Sequence, residues 1–204
     1  MSIFFDLCYN YIDTGRLFVF KIISGRPAKQ LFYMEVFIMC FSVGDYVMYG
    51  SSGVCRISGV EKRNFDGQHE TDYISLVPVS SASSKYYIPQ KNSDGKIRSL
   101  LTKEQINQLI DEIPDTAATW FSDSHERKNA FASIIKSDDY KQIISMIKAL
   151  HMHKKLKNSG GKKLNSSDEN FMHRAESLMY QEFSVVLGIP QDDVVDYISQ
   201  RINH

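Results

Sequence analysis

The run Phe41-Ser-Val-Gly-Asp-Tyr-Val-Met-Tyr49 is rich in β-branched and aromatic residues, and the turn-forming sequence Gly50-Ser-Ser-Gly53 follows it directly. This composition is typical of short strands that end in a tight turn. Three further runs of the same kind follow, separated by turn residues, at residues 54–60, 73–79 and 86–89. Several short strands at this spacing predict a small β-barrel rather than a two-sheet sandwich.

From residue 102 onward the apolar residues recur with the period of a helix. Thr102 and Gln105 form the pattern of a capping box ahead of a first helix, which Pro114 stops. A second helix is predicted over about residues 124–136. A third helix is predicted to start near Ser137, with acidic residues in its first turn that favour the helix dipole.

The last part of the chain also has a helical pattern. Ser166 and Glu169 form a second capping-box pattern ahead of a long helix, and Pro190 is suited to open the final one. The sequence therefore predicts an α+β chain. We expect a small β-barrel over residues 39–100 and an all-helical domain over residues 101–204.

Residues 1–38 are aromatic-rich and fit no clear period, and we expect them to be a mis-called or non-native extension. Met34-Glu-Val36 can be encoded ATG-GAG-GTN, which contains the ribosome-binding sequence GGAGGT shortly before the ATG of Met39. The hypothesis is that translation starts at Met39. Detection of peptides from residues 1–33 by mass spectrometry of the native protein would contradict it. The alternative is a natural extension that packs its Phe and Tyr residues on the barrel.

The formal net charge is zero, with 24 Lys and Arg against 24 Asp and Glu, but the charges are unevenly distributed. Between residues 140 and 163 there are seven lysines and no acidic residue, whereas acidic residues dominate after residue 164. The lysines are Lys141, Lys148, Lys154, Lys155, Lys157, Lys162 and Lys163. Such a basic helix end and loop is an electrostatic footprint for phosphates. The alternative is a solvated helix end whose lysines complement the dipole.

Few residues other than these lysines have a pattern that points to chemistry. Trp120 is the only tryptophan, and it is either a core residue or an apolar wedge against a base step. His151-Met-His153 has the wrong spacing for two metal ligands on one helix face. We find no catalytic motif, and we expect no enzymatic activity, no metal and no cofactor.

The cysteines and the hydropathy bear on the compartment. Three cysteines without a CxxC pair fit a reducing cytoplasm, and Cys55 is expected to be a small core residue on a strand. The most apolar region, residues 31–43, is too short to span a membrane. We therefore expect a cytoplasmic protein that associates with the nucleoid and not with a membrane.

Two sets of residues resemble a known family. Residues 41–49, Gly53-Val54 and the sequence Tyr86-Tyr-Ile-Pro89 resemble the polymerase-interacting module that CarD regulators share with the transcription-repair coupling factor. The second half resembles the helical domain of CarD proteins from Gram-positive bacteria. This second resemblance is carried by Trp120, Arg127-Lys128, Leu150-His-Met-His-Lys-Lys155, Lys162-Lys-Leu-Asn-Ser-Ser-Asp168 and residues 182–188. Together they cover about residues 39–200.

The resemblance implies a Tudor/SH3-like barrel that docks on a lobe of the bacterial RNA polymerase β subunit by edge-strand pairing. Arg63 matches a family arginine used in that contact. At the position of a second interface arginine of the family this chain has Tyr87. It further implies that Trp120 wedges into the minor groove at the upstream edge of the transcription bubble. The residues expected to contact promoter DNA, without sequence preference, are Trp120, Arg127, Lys128, Lys154, Lys155, Lys162 and Lys163.

These features predict a monomeric transcription regulator that binds the polymerase β subunit and upstream promoter DNA and stabilises the open complex. One alternative is a protein-only adaptor, in which the barrel and the helical domain are two protein docks. Another is a nuclease or other hydrolase that uses His125, His151 or His153. Salt-dependent retention on DNA distinguishes the regulator from the adaptor, and an assay for DNA cleavage tests the hydrolase.

Overall fold

The computed structural model describes residues 16–21, 37–93 and 95–203. It divides into two compact units, of which the second contains Leu100–His204 together with Gly50–Gly53. The first unit is built of strands and the second of helices, so the predicted α+β fold with an N-terminal β domain and a helical domain is confirmed. Residues 1–15 and 22–36, most of the segment assigned to a mis-called extension, lie outside the described residues.

The β unit contains a hairpin and a five-stranded antiparallel sheet. The hairpin pairs β1 with β2 antiparallel, and the sheet has the order β6-β5-β4-β3-β7. The strands are β1 (Arg16–Lys21), β2 (Phe37–Ser42), β3 (Tyr46–Tyr49), β4 (Val54–Arg63), β5 (Thr71–Pro78), β6 (Tyr86–Pro89) and β7 (Ile97–Ser99). The short strand β7 was not predicted from the sequence.

The aromatic run at residues 41–49 forms parts of two strands and not one. The break lies between Ser42 and Tyr46, where Gly44 has a φ of 100° that a residue with a side chain rarely adopts. The Asp45 carboxylate accepts a hydrogen bond of 2.7 Å from the Ser42 amide and holds the turn closed. The prediction of one strand-forming run over residues 41–49 is therefore wrong, because the glycine at 44 already bends the chain.

The sheet carries one apolar core. Its buried residues are Phe41, Val47, Cys55, Ile57, Ile74, Leu76, Ile88 and Ile97. Ile88 belongs to one edge strand and Ile97 to the other, and both lie in this single cluster. The core cluster therefore extends across the whole sheet, from one edge strand to the other.

Five helices form the second unit, and several of their caps are as predicted. They are α1 (Lys103–Asp111), α2 (Ser124–Ser137), α3 (Tyr140–Ser159), α4 (Ser166–Leu187) and α5 (Val194–Ile202). The capping box of Thr102 and Gln105 is present in full. The predicted box at Ser166 is wrong by one residue, since the cap of α4 is Asn165, whose side chain accepts from the Asp168 amide at 2.7 Å.

Two other helix starts also differ from the prediction. The third helix begins at Tyr140 and not near Ser137, because α2 continues to Ser137 and Asp138 then takes a left-handed φ of 58°. Asp139 is the cap of α3, and its carboxylate accepts from the amides of the first turn. Pro190 precedes a short 3-10 turn, and α5 starts only at Val194.

The helical core is built mainly from the facing stripes of α2, α3 and α4. Its largest fully buried side chains include Phe131, Met146, Leu150 and Phe183. The buried carboxylate of Glu182 accepts hydrogen bonds from the Tyr140 hydroxyl and, at 2.7 Å, from the Leu101 amide. No helix in the described part of the chain is both long and apolar enough to cross a membrane.

Candidate functional site

A β-bulge at Ser58 decides which way the end of β4 faces. Before the bulge, Ile57 pairs with Leu76 in the core, and after it Gly59 pairs with Ser75, on the opposite face of the sheet. Strict alternation from Ile57 would turn residues 59, 61 and 63 inward, and the extra residue reverses this. The bulge therefore puts Arg63 on the outer face.

The bulge is held by the hydroxyls of two serines. The buried Ser75 hydroxyl donates to the Gly59 carbonyl at 3.0 Å and lies 2.8 Å from the Ser58 hydroxyl. The Ser58 hydroxyl also lies 3.1 Å from the Ser75 carbonyl. These contacts satisfy backbone groups that the interrupted ladder leaves without a strand partner.

The outer face of the sheet brings Arg63 and Tyr87 together, although they lie on different strands. The Arg63 Nη2 donates to the Tyr87 hydroxyl at 3.3 Å, and its guanidinium carbon lies 5.3 Å from the centre of the Tyr87 ring. Glu61 binds both Arg63, at 2.6 Å, and Lys85. We call Glu61, Arg63, Lys85 and Tyr87 the Arg63 patch.

The charges of the Arg63 patch are paired with each other at the surface. Hydrogen bonds from Lys85 and from Arg63 lower the pKa of Glu61 to about 2. Glu61 therefore stays ionised at neutral pH, and the same contact raises the pKa of Arg63. Next to the patch, the Phe65 side chain is exposed and lies 4.9 Å from the Tyr73 ring and 5.5 Å from the Tyr87 ring, measured between centroids. The result is a surface of paired charges beside aromatic rings in edge-on and tilted contact.

In the helical unit, the segment between α1 and α2, residues 112–123, is tied to α3 by side chains. We call this segment the Trp120 loop. Lys148 donates to the carbonyls of Ile113, Pro114 and Thr116 at 3.1, 2.8 and 2.8 Å. The Ser145 hydroxyl donates to the Ala117 carbonyl at 2.6 Å. A loop without secondary structure of its own is thereby fixed along its length.

The Trp120 ring is half-buried and is in contact with two helices. The His153 imidazole, from α3, stacks on it with a centroid distance of 3.5 Å and an interplanar angle of 18°. Phe131, from the core of α2, meets it edge-on at 6.3 Å. The Arg127 guanidinium carbon lies 4.4 Å from the ring centre, within the range of a cation–π contact. Trp120 is thus neither a fully buried core residue nor a freely exposed one.

Arg127 is buried, and its hydrogen bonds are made inside the protein. Its Nε and Nη2 donate to the two carboxylate oxygens of Asp168 at 3.1 Å each. Its Nη1 donates to the carbonyls of Phe121, Ser122 and Asp123 at 2.8, 3.3 and 3.4 Å. Contact between Arg127 and DNA stays a prediction, and this geometry favours an indirect role through the loop that carries Trp120.

The five lysines predicted to contact DNA differ in their surroundings from other lysines of the basic stretch. Lys128, Lys155, Lys162 and Lys163 are exposed and Lys154 is half-buried, and none of the five forms an ion pair with another described residue. Two other lysines of the basic stretch have structural partners, since Lys148 binds the Trp120 loop and Lys141 pairs with Glu112 at 2.7 Å. The charge available to an external phosphate is therefore smaller than the sequence count indicates.

The histidines and the cysteine do not form a reactive centre in the described part of the chain. His151 lies 2.6 Å from Glu176, whereas His153 stacks on Trp120. Among the described residues no three His, Cys, Asp or Glu side chains lie close enough to hold a metal ion. Burial raises the pKa of Cys55 to about 11, so it is a protonated core thiol, as predicted.

Three contacting residues were not predicted as site residues. Glu61 stands two positions from Arg63, and on a strand this spacing puts both on one face, so alternation could have found it. Lys85 and Asp168 had no such signal, because they meet their partners across 24 and 41 residues. His153 was considered as a metal ligand and as a hydrolase residue, and not as a partner of Trp120.

The comparisons with known proteins bear on the β unit. A comparison with curated proteins found no match. The family model of the CarD-like/TRCF RID domain matches residues 41–101. These residues include β3 to β7 and the whole Arg63 patch. Residues 41–101 therefore match the CarD-like/TRCF RID domain, which is typical of RNA polymerase-interacting transcription factors.

Proposed function

We propose that this chain is a transcription regulator that binds the RNA polymerase β subunit with its β domain and upstream promoter DNA with its helical domain. The observation that carries the proposal is the convergence of Arg63 and Tyr87 on one outer face of a domain that matches the RID family. Both were predicted as polymerase contacts from the resemblance alone, and they lie on strands that are not adjacent in the sheet. We infer a monomer in the cytoplasm, associated with the nucleoid.

The polymerase contact is proposed to form at the edge strand β6. This strand lies at one end of the five-stranded ladder, so its outer main-chain groups are available to a strand of the partner. Tyr87 is on β6, and its hydroxyl accepts from Arg63. Pairing along this edge supplies affinity through main-chain hydrogen bonds, and Arg63 supplies an electrostatic anchor beside it.

The DNA contact is proposed to use Trp120 and the exposed lysines of the helical unit. An aromatic ring that is half-exposed beside cationic groups is suited to stack on an unpaired or kinked base step. Lysine–phosphate contacts add affinity that does not depend on sequence and falls with salt. Docking on polymerase raises the local concentration of DNA to around millimolar, so weak contacts suffice.

The proposed regulatory effect is stabilisation of the open complex. If Trp120 fills a step that is unstacked only in the open complex, its binding energy favours that state over the closed one. A difference of about 1–3 kcal/mol between the binding free energies for the open and the closed complex shifts the equilibrium between them roughly 5- to 150-fold. We expect a longer-lived open complex with the wild-type chain and loss of that effect in Trp120→Ala. An unchanged lifetime in this variant contradicts the wedge.

The test of the polymerase contact is capture of the full chain by the isolated β lobe, with Arg63→Glu as the test variant. We expect Arg63→Glu to weaken capture by at least about 10-fold, since it turns an anchoring charge into a repulsive one. Lys62→Glu is the matched control. It makes the same charge change as Arg63→Glu, but Lys62 is on the opposite face of β4. Equal loss in both variants, or no capture of a folded wild-type chain, contradicts the proposal.

One observation favours a protein-only adaptor as the second candidate. Met152 and Leu156 lie one turn apart on α3 and are 52% and 66% exposed, which is typical of a protein contact. Retention of the full chain on DNA at rising salt separates the two functions. A DNA contact through lysines weakens steeply with salt, whereas an adaptor shows no salt-dependent retention at all.

A further inference from the structure

We propose that His153 is the residue that positions the Trp120 ring for DNA, by stacking on it face to face, and that protonation of its imidazole releases the ring. The proposal rests on the proposed DNA contact of Trp120. It goes beyond it because it assigns a separate residue, on a different helix, to the orientation of the ring.

The geometry of the stack carries the first step. The two rings are 3.5 Å apart between centroids and nearly parallel, at 18°. This contact covers one face of the indole. The Arg127 guanidinium carbon lies 4.4 Å from the ring centre, and Phe131 touches the ring edge-on and so fixes its plane less strictly. Trp120 lies in a loop without helix or strand, so its backbone does not fix the side chain by secondary structure. The orientation of the ring therefore depends on its side-chain partners.

The charges around His153 carry the second step. The side chains that act on it are Arg127 from α2, Lys157 from its own helix and Asp168 from α4. Burial, followed by Arg127 and Lys157, lowers the pKa of His153 below its ordinary 6.5, and Asp168 only partly opposes them. At neutral pH the imidazole is therefore an uncharged flat ring that stacks without repelling its cationic neighbours.

Protonation of His153 at acid pH adds a positive charge close to those of Arg127 and Lys157. Because the folded protein binds this proton less readily than the unfolded chain, the stabilisation is fully present above pH 6.5 and is lost as the pH falls through the lowered pKa. The Arg127 guanidinium cannot move away, since it is held by Asp168 and by three loop carbonyls. We expect the protonated imidazole to leave the stack, because the cost of burying its charge and its repulsion from Arg127 oppose its cation–π attraction to the indole.

Trp120 is the only tryptophan, so intrinsic fluorescence reports on this contact directly. The experiment is a fluorescence titration of the full chain from about pH 8 to about pH 5. The variants are His153→Ala, which removes the stack, and His153→Phe, which keeps a flat ring that does not titrate. His151→Ala is the matched control, because His151 is on the same helix but pairs with Glu176. DNA retention and polymerase capture are measured on the same proteins.

We expect the wild-type and His151→Ala emission to change with a common midpoint below pH 6.5, and both His153 variants to lose that transition. His153→Ala should weaken DNA retention about 3- to 10-fold, the range for loss of one aromatic contact. His153→Phe should restore retention at neutral pH, and polymerase capture should not change. Restoration by a ring that does not titrate separates stacking from general damage to the fold.

Two results would overturn the proposal. One is a pH transition that survives in His153→Ala, which shows that another group controls the ring. The other is a loss of DNA retention in Trp120→Ala but not in His153→Ala, which leaves the proposed function intact and removes His153 from it. If neither variant loses retention, the proposed DNA contact is wrong, and the fluorescence still decides whether His153 holds the ring.

Discussion

The two arginines singled out from the sequence sit in opposite surroundings. In the Arg63–Glu61 pair of the β domain the side chains are 48% and 28% exposed, whereas in the Arg127–Asp168 pair of the helical domain they are 6% and 5% exposed. Glu61 also binds Lys85, so the surface pair is one edge of a small charge network. Arg127 makes all its hydrogen bonds to Asp168 and to loop carbonyls.

The difference in exposure separates an arginine that an external partner can reach from one that is enclosed by the protein. An exposed ion pair contributes little to folding, because water screens it in both states. Its charges remain available to another protein. A buried pair is out of reach of a partner, and loss of one member leaves the other charged and without water. Arg63 is therefore expected to matter for binding and Arg127 for the fold that presents Trp120.

The largest expected effect is that of Arg127→Ala on the stability of the helical domain. The variant leaves the Asp168 carboxylate buried and without its arginine. The Asn165 side-chain amide still donates a hydrogen bond to it. Breaking a buried pair in this way costs about 3–5 kcal/mol. The measurement is urea denaturation followed by far-ultraviolet circular dichroism, which is dominated by the helices.

The control for this prediction is the double variant Arg127→Ala with Asp168→Ala. Because it removes both charges, part of the lost stability should return. An Arg127→Ala variant with the stability of the wild type would mean that the pair is open to water in solution. The contrast between the two arginines would then disappear.

The next largest effect is expected for Ser75→Ala in the β domain. The variant removes the hydroxyl that donates to the Gly59 carbonyl and contacts Ser58 at the bulge. Leaving buried polar groups unsatisfied costs about 1–3 kcal/mol. Thermal unfolding of the variant measures the loss. Ser83→Ala, at an exposed serine in the following loop, is the control and should leave unfolding unchanged.

Removal of Lys162 and Lys163 tests the helical surface without touching its core. Each lysine that contacts a phosphate adds about one unit to the slope of log affinity against log salt. We expect Lys162→Ala with Lys163→Ala to flatten the slope by up to about two such units. Lys141→Ala is the matched control, since Lys141 already pairs with Glu112. Equal slopes for all three proteins would exclude the two lysines from the DNA contact.

The smallest effect on folding is expected for Arg63→Ala. Its partners are at the surface, and the removal of an exposed ion pair should leave the unfolding midpoint where it was. Capture by the polymerase β lobe should nevertheless fall in the same variant. A clear drop in the unfolding midpoint would show that the Arg63 patch supports the fold and would weaken the contrast with Arg127.

The sequence predicted the parts of the fold that depend on local chemistry. The capping box at Thr102 was predicted correctly because the two residues that form it are three positions apart and need no other element. The predicted cap at Ser166 was wrong by one residue, since Asn165 competes for the same role with a side chain that caps equally well. The break at Gly44 was missed because the aromatic run on either side has one composition.

The candidate site was predicted residue by residue but not in its arrangement. Arg63, Tyr87 and the preference for a wedge role of Trp120 came from the resemblance, and most of the lysines came from the charge pattern. Both name positions and carry no distances. That Arg127 is buried could not be read from the sequence, because its partner Asp168 lies 41 residues away on another helix. The contact of His153 with Trp120 was missed for the same reason, since only the packing of the Trp120 loop against α3 brings the two rings together.

The sequence by itself determined the order of strands and helices, the uneven charge and the residue types available for contact. These follow from side-chain periodicity and capping, which act over a few residues. Only the tertiary structure decided the outward direction of Arg63, the burial of Arg127 and the stack on Trp120. Each depends on a register or a packing contact between distant segments, such as the extra residue at Ser58 that reverses the faces of β4.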